Sequence, residues 1–384
     1  MRPLNTRLSH AGTTIFTVMS ALALRHDAVN LGQGFPDTEG PADIVEAAAA
    51  ALLDGRNQYA PLAGLPELRE AVASANARDY GLSVDPASEV VVTSGATEAI
   101  TACLAALLDP GDEVVLVEPL FDTYLPVVRM LGAVPRLVRL EPPDWALPRD
   151  ALAAAFGPRT KAILLNSPMN PTGKVFTPEE LGFVAGLLAE HDAYAICDEV
   201  YEHLVFDGRH VPLMTLPGMR ERCLRVGSAG KTFSLTGWKV GYVTAAAPLA
   251  AVVAKAHQNL TFATAPNLQR GVAHGLRKDG DYFTALADGM RARRDQLSAG
   301  LAGLGFAVLP AAGSYFVVAD IAGLSGEDDA AFCRWMVEKA GVAAIPLSAF
   351  YDAEPPRSLV RFAFCKRAEV LETALGRLGA ALGR

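Results

Sequence analysis

The sequence has little of what a secreted, membrane-spanning or nucleic-acid-binding protein needs. It holds only five cysteines in 384 residues, at positions 103, 197, 223, 333 and 365. Their number is odd and none forms a Cys-x-x-Cys pair. That argues against a disulfide framework or zinc ribbon; no metal site is expected, and a reducing compartment, the cytoplasm, is. Long apolar runs are missing too. The nearest candidate, Val243 to Ala254, is interrupted by Thr244 and Pro248 and stopped by Lys255, short of the ~18 residues a bilayer span requires. Met1 to Arg7 leads into a polar mix rather than the apolar core of a secretion signal. Positive charge is outnumbered, with 34 Lys plus Arg against 42 Asp plus Glu and a formal net charge of −8. A general surface for nucleic acid or anionic membrane is therefore not expected, although a local basic pocket is compatible with it. No period of about 20–50 residues repeats.

What is present is core material. Half of the residues are hydrophobic (51%) and a fifth are charged (20%), a globular composition. The length suggests two or three domains, or one large one, at about 150 residues each. The dominant pattern is strand, turn, helix. Strand candidates are Glu89–Thr93, Glu113–Val117, Lys161–Leu165, Tyr194–Cys197, Leu224–Val226 and Val240–Thr244. Several are continuously apolar, as strands buried on both faces of a helix-covered parallel sheet are. Helix-like segments run from Thr97 to Leu108 and from Tyr124 to Leu131. The last third differs. A helix over Tyr282–Leu304 is followed by strand candidates at Phe306–Leu309 and Tyr315–Val318, a helix over Ala330–Ala340, and strands at Val342–Ile345 and Leu359–Phe364. This reads as a second, smaller α/β domain.

Two nucleotide signatures fail. Gly32-Gln33-Gly34-Phe35-Pro36 lacks the third glycine of a dinucleotide fingerprint, and Gly230-Lys231-Thr232 is preceded five residues earlier by Arg225 rather than glycine. Five other features carry chemistry. Gly95-Ala96-Thr97 sits between a buried strand and a helix, where backbone N–H groups suit either an anion or an ordinary cap on Thr97. Asn170 lies in a Pro- and Gly-rich turn at a strand's carboxyl end, as a ligand contact or a self-satisfied turn residue. Asp198 ends an apolar strand and needs a cation, a donor or a helix start to cap; Tyr201 follows it. Lys231 sits in a loop of small residues and hydroxyls after a buried strand. There desolvation lowers its proton affinity and favours Schiff-base chemistry. Lys239, eight residues on, is a second cation. Arg361 lies in an apolar strand, either as an ion-pair partner or as a fork for a carboxylate.

In this order the five features resemble the fold-type I pyridoxal 5′-phosphate (PLP) enzymes, specifically class I/II aminotransferases. The intervals are 28 residues from Asn170 to Asp198, 33 to Lys231 and 130 to Arg361. The resemblance covers nearly the whole chain. It is closest to the branch of glutamine/kynurenine, bacterial methionine and actinobacterial N-succinyldiaminopimelate aminotransferases, through Asn30–Asp37, Asn57–Tyr59, Gly95–Ala99, Asp198–His203 and His257–Phe262. It implies an α/β fold whose large domain, residues 41–270, carries a mostly parallel seven-stranded sheet covered by helices. Residues 1–40 and 271–384 would form an N-terminal arm and a small domain.

The resemblance also implies roles. Lys231 would hold PLP as a Schiff base and shuttle the α-proton, and Asp198 would pair with the pyridine nitrogen. Tyr201 and Asn170 would bond the ring's phenolic oxygen. Gly95, Ala96, Thr97, Ser228 and Lys239 would cradle the phosphate, joined by Tyr59 from a partner subunit, so a homodimer is expected. Phe121 would stack on the ring. Arg361 would clamp the substrate α-carboxylate, helped by Asn170 and the Gly34 backbone, with Phe16, Phe262 and Tyr315 as further substrate contacts. Phe16 stands where some aromatic-specific members carry tryptophan, and Ala263 where kynurenine-type members often carry histidine; both speak against kynurenine.

The expected reaction is transfer of an amino group from an L-amino acid, neutral, sulfur-containing or aromatic, to a 2-oxo acid. N-succinyldiaminopimelate is the second donor, with Arg7 or Arg25 as distal cations that could fold over the site. A cysteine-conjugate β-lyase and a non-catalytic PLP-binding regulator are the rival readings.

Overall fold

The computed structural model describes residues 5, 7, 12–54 and 57–384. Much of the expected N-terminal arm before residue 12 lies outside them. Thirteen strands occur among the described residues: β1 (Val29–Asn30), β2 (Val90–Thr93), β3 (Glu113–Glu118), β4 (Val134–Arg139), β5 (Thr160–Asn166), β6 (Tyr194–Asp198), β7 (Cys223–Ser228), β8 (Gly241–Ala245), β9 (Ala307–Val308), β10 (Phe316–Asp320), β11 (Val342–Ala343), β12 (Ile345–Pro346) and β13 (Leu359–Ala363).

Seven of them form one sheet in the order β2-β8-β7-β6-β5-β3-β4. Within it β4, β3, β5, β6 and β7 run parallel, and β8 is antiparallel to both of its neighbours. The chemistry of the strands explains their place. β2, β3, β7 and β8 are buried at every position, and only strands covered on both faces can be apolar throughout. β4 was not among the strand candidates. It contains Pro135 and alternates in exposure, and it pairs only with β3; an edge strand tolerates both a missing donor and a wet face.

Helices connect the strands. The segment read as starting at Thr97 is helical from Gly95 to Leu107, with Ser94 at the cap position. Thr97 therefore lies inside the first turn and is not the cap. Glu98 caps instead, its Oε2 accepting from Ser94 N at 2.8 Å. The helix Pro178–Glu190 opens on a full capping box between Thr177 and Glu180, which fixes where the chain leaves the Asn170 loop.

The long helix Gly280–Gly303, capped by Asp279, leads to an antiparallel sheet ordered β12-β13-β10-β9. The helix expected over Ala330–Ala340 is α-helical over Asp329–Trp335 and widens into a π turn from Met336 to Ala340. The strand expected at Val342–Ile345 is split: β11 pairs with β1, and β12 with β13. Leu31 O accepts from Ala363 N at 2.7 Å, and β1 pairs with β11, so residues 29–31 are tied to the carboxy-terminal strands.

Candidate active site

Register decides what meets. Asn166 of β5 stands beside Asp198 of β6, which stands beside Val226 of β7. Ser228 at the end of β7 faces Gly241, which faces Thr93 at the end of β2. The carboxyl ends of parallel strands thus converge on one crevice, where open α/β sheets bind their ligands. A cavity of ≈ 360 Å³ opens there. Its wall includes Phe16, Gly34, Gly95, Ala96, Thr97, Phe121, Asn170, Asp198, Tyr201, Ser228, Lys231, Lys239 and Arg361, and so brings together most of the residues singled out from the sequence.

Asp198 is buried. Its Oδ2 accepts from Tyr124 Oη at 2.5 Å and its Oδ1 from Val200 N at 3.3 Å. These bonds do not offset the lost water, and burial pushes its pKa up to about 6. Asn166 pins the neighbouring loop: its Nδ2 donates to Asp198 O at 2.9 Å, and its Oδ1 accepts from Asn170 N at 2.7 Å.

Lys231 follows β7 in a single helical turn, Ala229–Thr232. Burial draws its pKa down to about 8, so about a tenth of the amine is neutral at pH 7. Nζ donates to Tyr315 Oη at 3.0 Å and Gly34 O at 3.3 Å. Gly34 O also accepts from Tyr315 Oη at 2.5 Å. Burial raises the pKa of Tyr201 well above the ordinary phenol value, keeping the hydroxyl protonated as a donor.

Arg361 is fully buried among Phe16, Phe316 and Phe350, whose ring centroids lie 4.0–5.1 Å from its Cζ. Nη1 donates to Asn170 Oδ1 at 2.7 Å and Nη2 to Gly32 O at 2.5 Å. Nε has no partner. A buried donor left unpaired costs about 1–3 kcal/mol, which a bound acceptor would relieve. At the other end of the cavity Gly95, at φ +79°, lies against Lys239: a Cβ on Gly95 would come 3.2 Å from Cε and 3.4 Å from Nζ. A helix start with an ammonium beside it is an anion site.

A family model described as "Aminotransferase class I and II" matches residues 26–378. The chain belongs to the class I and II aminotransferase family. It is 47% identical to a probable N-succinyldiaminopimelate aminotransferase of Mycobacterium tuberculosis, with 97% of each chain covered. It is 41% identical to a methionine aminotransferase of Escherichia coli, again over 97% of each. Two solved structures superpose closely. The E. coli methionine aminotransferase gives a TM-score of 0.96 at 40% identity, covering 98% and 99% of the two chains. The M. tuberculosis N-succinyldiaminopimelate aminotransferase gives 0.96 at 46%, covering 99% and 100%. The reaction is thus transfer of an amino group from an amino acid to a 2-oxo acid, in a family that uses PLP.

Three residues expected at the site of this aminotransferase lie off the cavity wall of the single chain, among them Tyr59, which is expected there from a partner subunit. Tyr315 is fully buried behind Lys231 rather than on the cavity wall. Tyr59 and Phe262 lie outside the wall, exposed by 84% and 45%, with ring centroids 5.2 Å apart. Neither Arg7 nor Arg25 reaches the cavity: Arg7 Nη1 donates to Met130 O at 3.3 Å, and Arg25 ends the helix Ile15–Arg25. Sequence reasoning missed Tyr124, Asn166, Gln33 and Asp122. Only the contacts made across the fold reveal the first two. Gln33 sits inside the Gly32–Pro36 stretch already noted, and Asp122 directly follows Phe121.

Proposed function

We propose that this chain is a PLP-dependent aminotransferase whose amino donor is neutral, with a sulfur-containing or aromatic side chain. The observation that carries the reading is the division of charge in the cavity. Arg361 offers an unpartnered buried donor for one carboxylate, while the wall also carries Phe16, Phe35, Phe121, Phe316 and Ile100, and its polar members Thr14, Gln33 and Asp122 bring no positive charge. The other cations on the wall are Lys231 and Lys239, and both have work at the cofactor. A second carboxylate would go unmatched at a cost of several kcal/mol.

The residues fit the cofactor. Asp198, a carboxylate whose pKa is raised by burial, suits a protonated pyridine nitrogen. Tyr124 and Asn166 hold Asp198 and the Asn170 loop in place, and Tyr201 and Asn170 would bond the ring's phenolic oxygen. Gly95, Ala96, Thr97, Ser228 and Lys239 would hold the phosphate, and Phe121 a ring face. PLP supplies an electron sink for the donor's α-carbon and a carrier for its amino group. Lys231 Nζ, neutral in part at physiological pH, would take up and give back the proton of the donor's α-carbon. Arg361 and Asn170 orient the α-carboxylate so that the bond to that proton faces Lys231.

The exposed Tyr59–Phe262 pair supports a homodimer in which each subunit completes its partner's site. The seven-stranded sheet, whose strands all lie between Val90 and Ala245, and the separate antiparallel sheet of β9, β10, β12 and β13 support a large unit near residues 41–270, although the helix Pro266–Leu276 runs on through that boundary. All five cysteines are free and buried and no described helix is long and apolar enough to cross a membrane, in keeping with a cytoplasmic enzyme. The probable N-succinyldiaminopimelate aminotransferase at 47% identity keeps that derivative as the second donor. The test is kcat/KM for methionine, phenylalanine, aspartate and N-succinyldiaminopimelate with one common acceptor. Methionine or phenylalanine should lead, and a clear preference for either multiply charged donor would overturn the reading.

A further inference from the structure

Asp122 is the charged residue on the cavity wall that neither the cofactor nor the α-carboxylate uses. It shares the wall with Arg361, Phe16, Thr14 and Gln33. Among the described residues it has no ion-pair partner, and its carboxylate has one long contact, Thr123 Oγ1 to Oδ1 at 3.4 Å. It does not earn its place as a helix cap: the helix Tyr124–Met130 begins after Thr123, with no side-chain cap hydrogen bond. Burial raises its pKa, partly opposed by the Thr123 hydroxyl and by the charge of Arg361, and the two side chains line the same cavity. An acid kept half-buried and unpaired in a binding cavity costs stability, and a positional role there must come from what it does to a ligand.

We propose that Asp122 is a specificity-determining residue that rejects donors carrying a second carboxylate by placing a fixed negative charge beside the side-chain end of the cavity. The inference rests on the aminotransferase reading and deepens it: it identifies how the wall discriminates. Arg361 alone would attract either carboxylate of a dicarboxylic amino acid, in either orientation. Asp122 makes the field around that guanidinium lopsided, so a ligand with one carboxylate is held in one sense and a ligand with two meets repulsion. Discrimination then comes from a built-in penalty against the wrong ligand as well as from apolar contact with the right one.

Glutamine and glutamate are nearly isosteric and differ by that charge, so their ratio isolates the effect. The experiment is kcat/KM for both donors, with phenylpyruvate as acceptor, in the PLP-loaded wild type and in Asp122→Asn and Asp122→Ala. The wild type should favour glutamine. Both variants should lower the glutamine-to-glutamate ratio by about ten-fold or more, mainly through better use of glutamate. Asp122→Asn preserves shape, and Asp122→Ala separates loss of charge from any bond the new amide makes. A ratio within two-fold of wild type in both variants overturns the role of Asp122 and leaves the neutral-donor reading standing. A wild type that itself prefers glutamate overturns that reading, and the proposal with it.

Discussion

Asp198 and Lys231 show how burial prepares the site. Each is a charged group held where water is scarce, and each titrates away from its ordinary value, Asp198 up to about 6 and Lys231 down to about 8. The raised Asp198 predicts opposite effects with and without cofactor. In the cofactor-free protein its burial is tolerated below pH ~4, where it is protonated in both folded and unfolded chains. Stability is then lost as pH rises through about 6, a difference of about 3 kcal/mol for two pKa units. Asp198→Asn should therefore melt higher than the cofactor-free wild type at pH 7, by a margin that vanishes near pH 4. The same substitution should weaken PLP retention by about ten- to a hundred-fold, since a charge-assisted bond is worth ~1.5–3 kcal/mol. A variant that loses stability at pH 7 and keeps its cofactor would remove Asp198 from this role. For Lys231, the rate of capture of added PLP should rise with pH, with a midpoint near 8, as the amine loses its proton; a flat profile between pH 7 and 9 would count against it. These two residues were legible in the sequence because each sits where a charge has no business without a purpose. Tyr124 was not, because its bond to Asp198 spans 74 positions and nothing local marks it.

At the level of elements, the turn between β2 and the helix Gly95–Leu107 is the part whose backbone does chemical work. Gly95 adopts φ +79°, and a Cβ there would press on Lys239. Gly95→Ala should cost about 1–2 kcal/mol of backbone strain and, by displacing Lys239, raise the dissociation constant for PLP more than that for pyridoxal, which has no phosphate. Equal losses for the two ligands would show that the turn does not hold the phosphate. The central strands were readable because burial on both faces leaves an uninterrupted apolar run. β4 was not, since an edge strand is written in alternating and proline-bearing sequence like a loop. The split between β11 and β12 was unreadable for another reason: the turn of partnership between Ala343 and Ile345 depends on where β1 and β13 lie, which no local pattern encodes. The Asn170 loop was seen as a rigid turn, but its anchor, Asn166, becomes visible only when β5 and β6 are set side by side.

Taken whole, the molecule assembles one site from distant parts of the chain: a loop from the amino-terminal third, the ends of four sheet strands, and Arg361 from the carboxy-terminal sheet. The exposed Tyr59–Phe262 pair predicts that the active unit is larger than one chain. Tyr59→Ala should leave assembly intact and weaken PLP retention about ten-fold, the scale of one hydrogen bond to a charged group; a fully active sedimenting monomer would contradict it. The central claim is that amino-group transfer runs through Lys231. The most direct measurement is borohydride reduction of the PLP-loaded protein, followed by protease digestion and mass spectrometry. A pyridoxyl group is expected on the peptide containing Lys231, and none on Lys231→Ala, which should also lose transfer from methionine to a 2-oxo acid. A reduced adduct on another lysine in the wild type, or transfer that persists in Lys231→Ala, would contradict that claim.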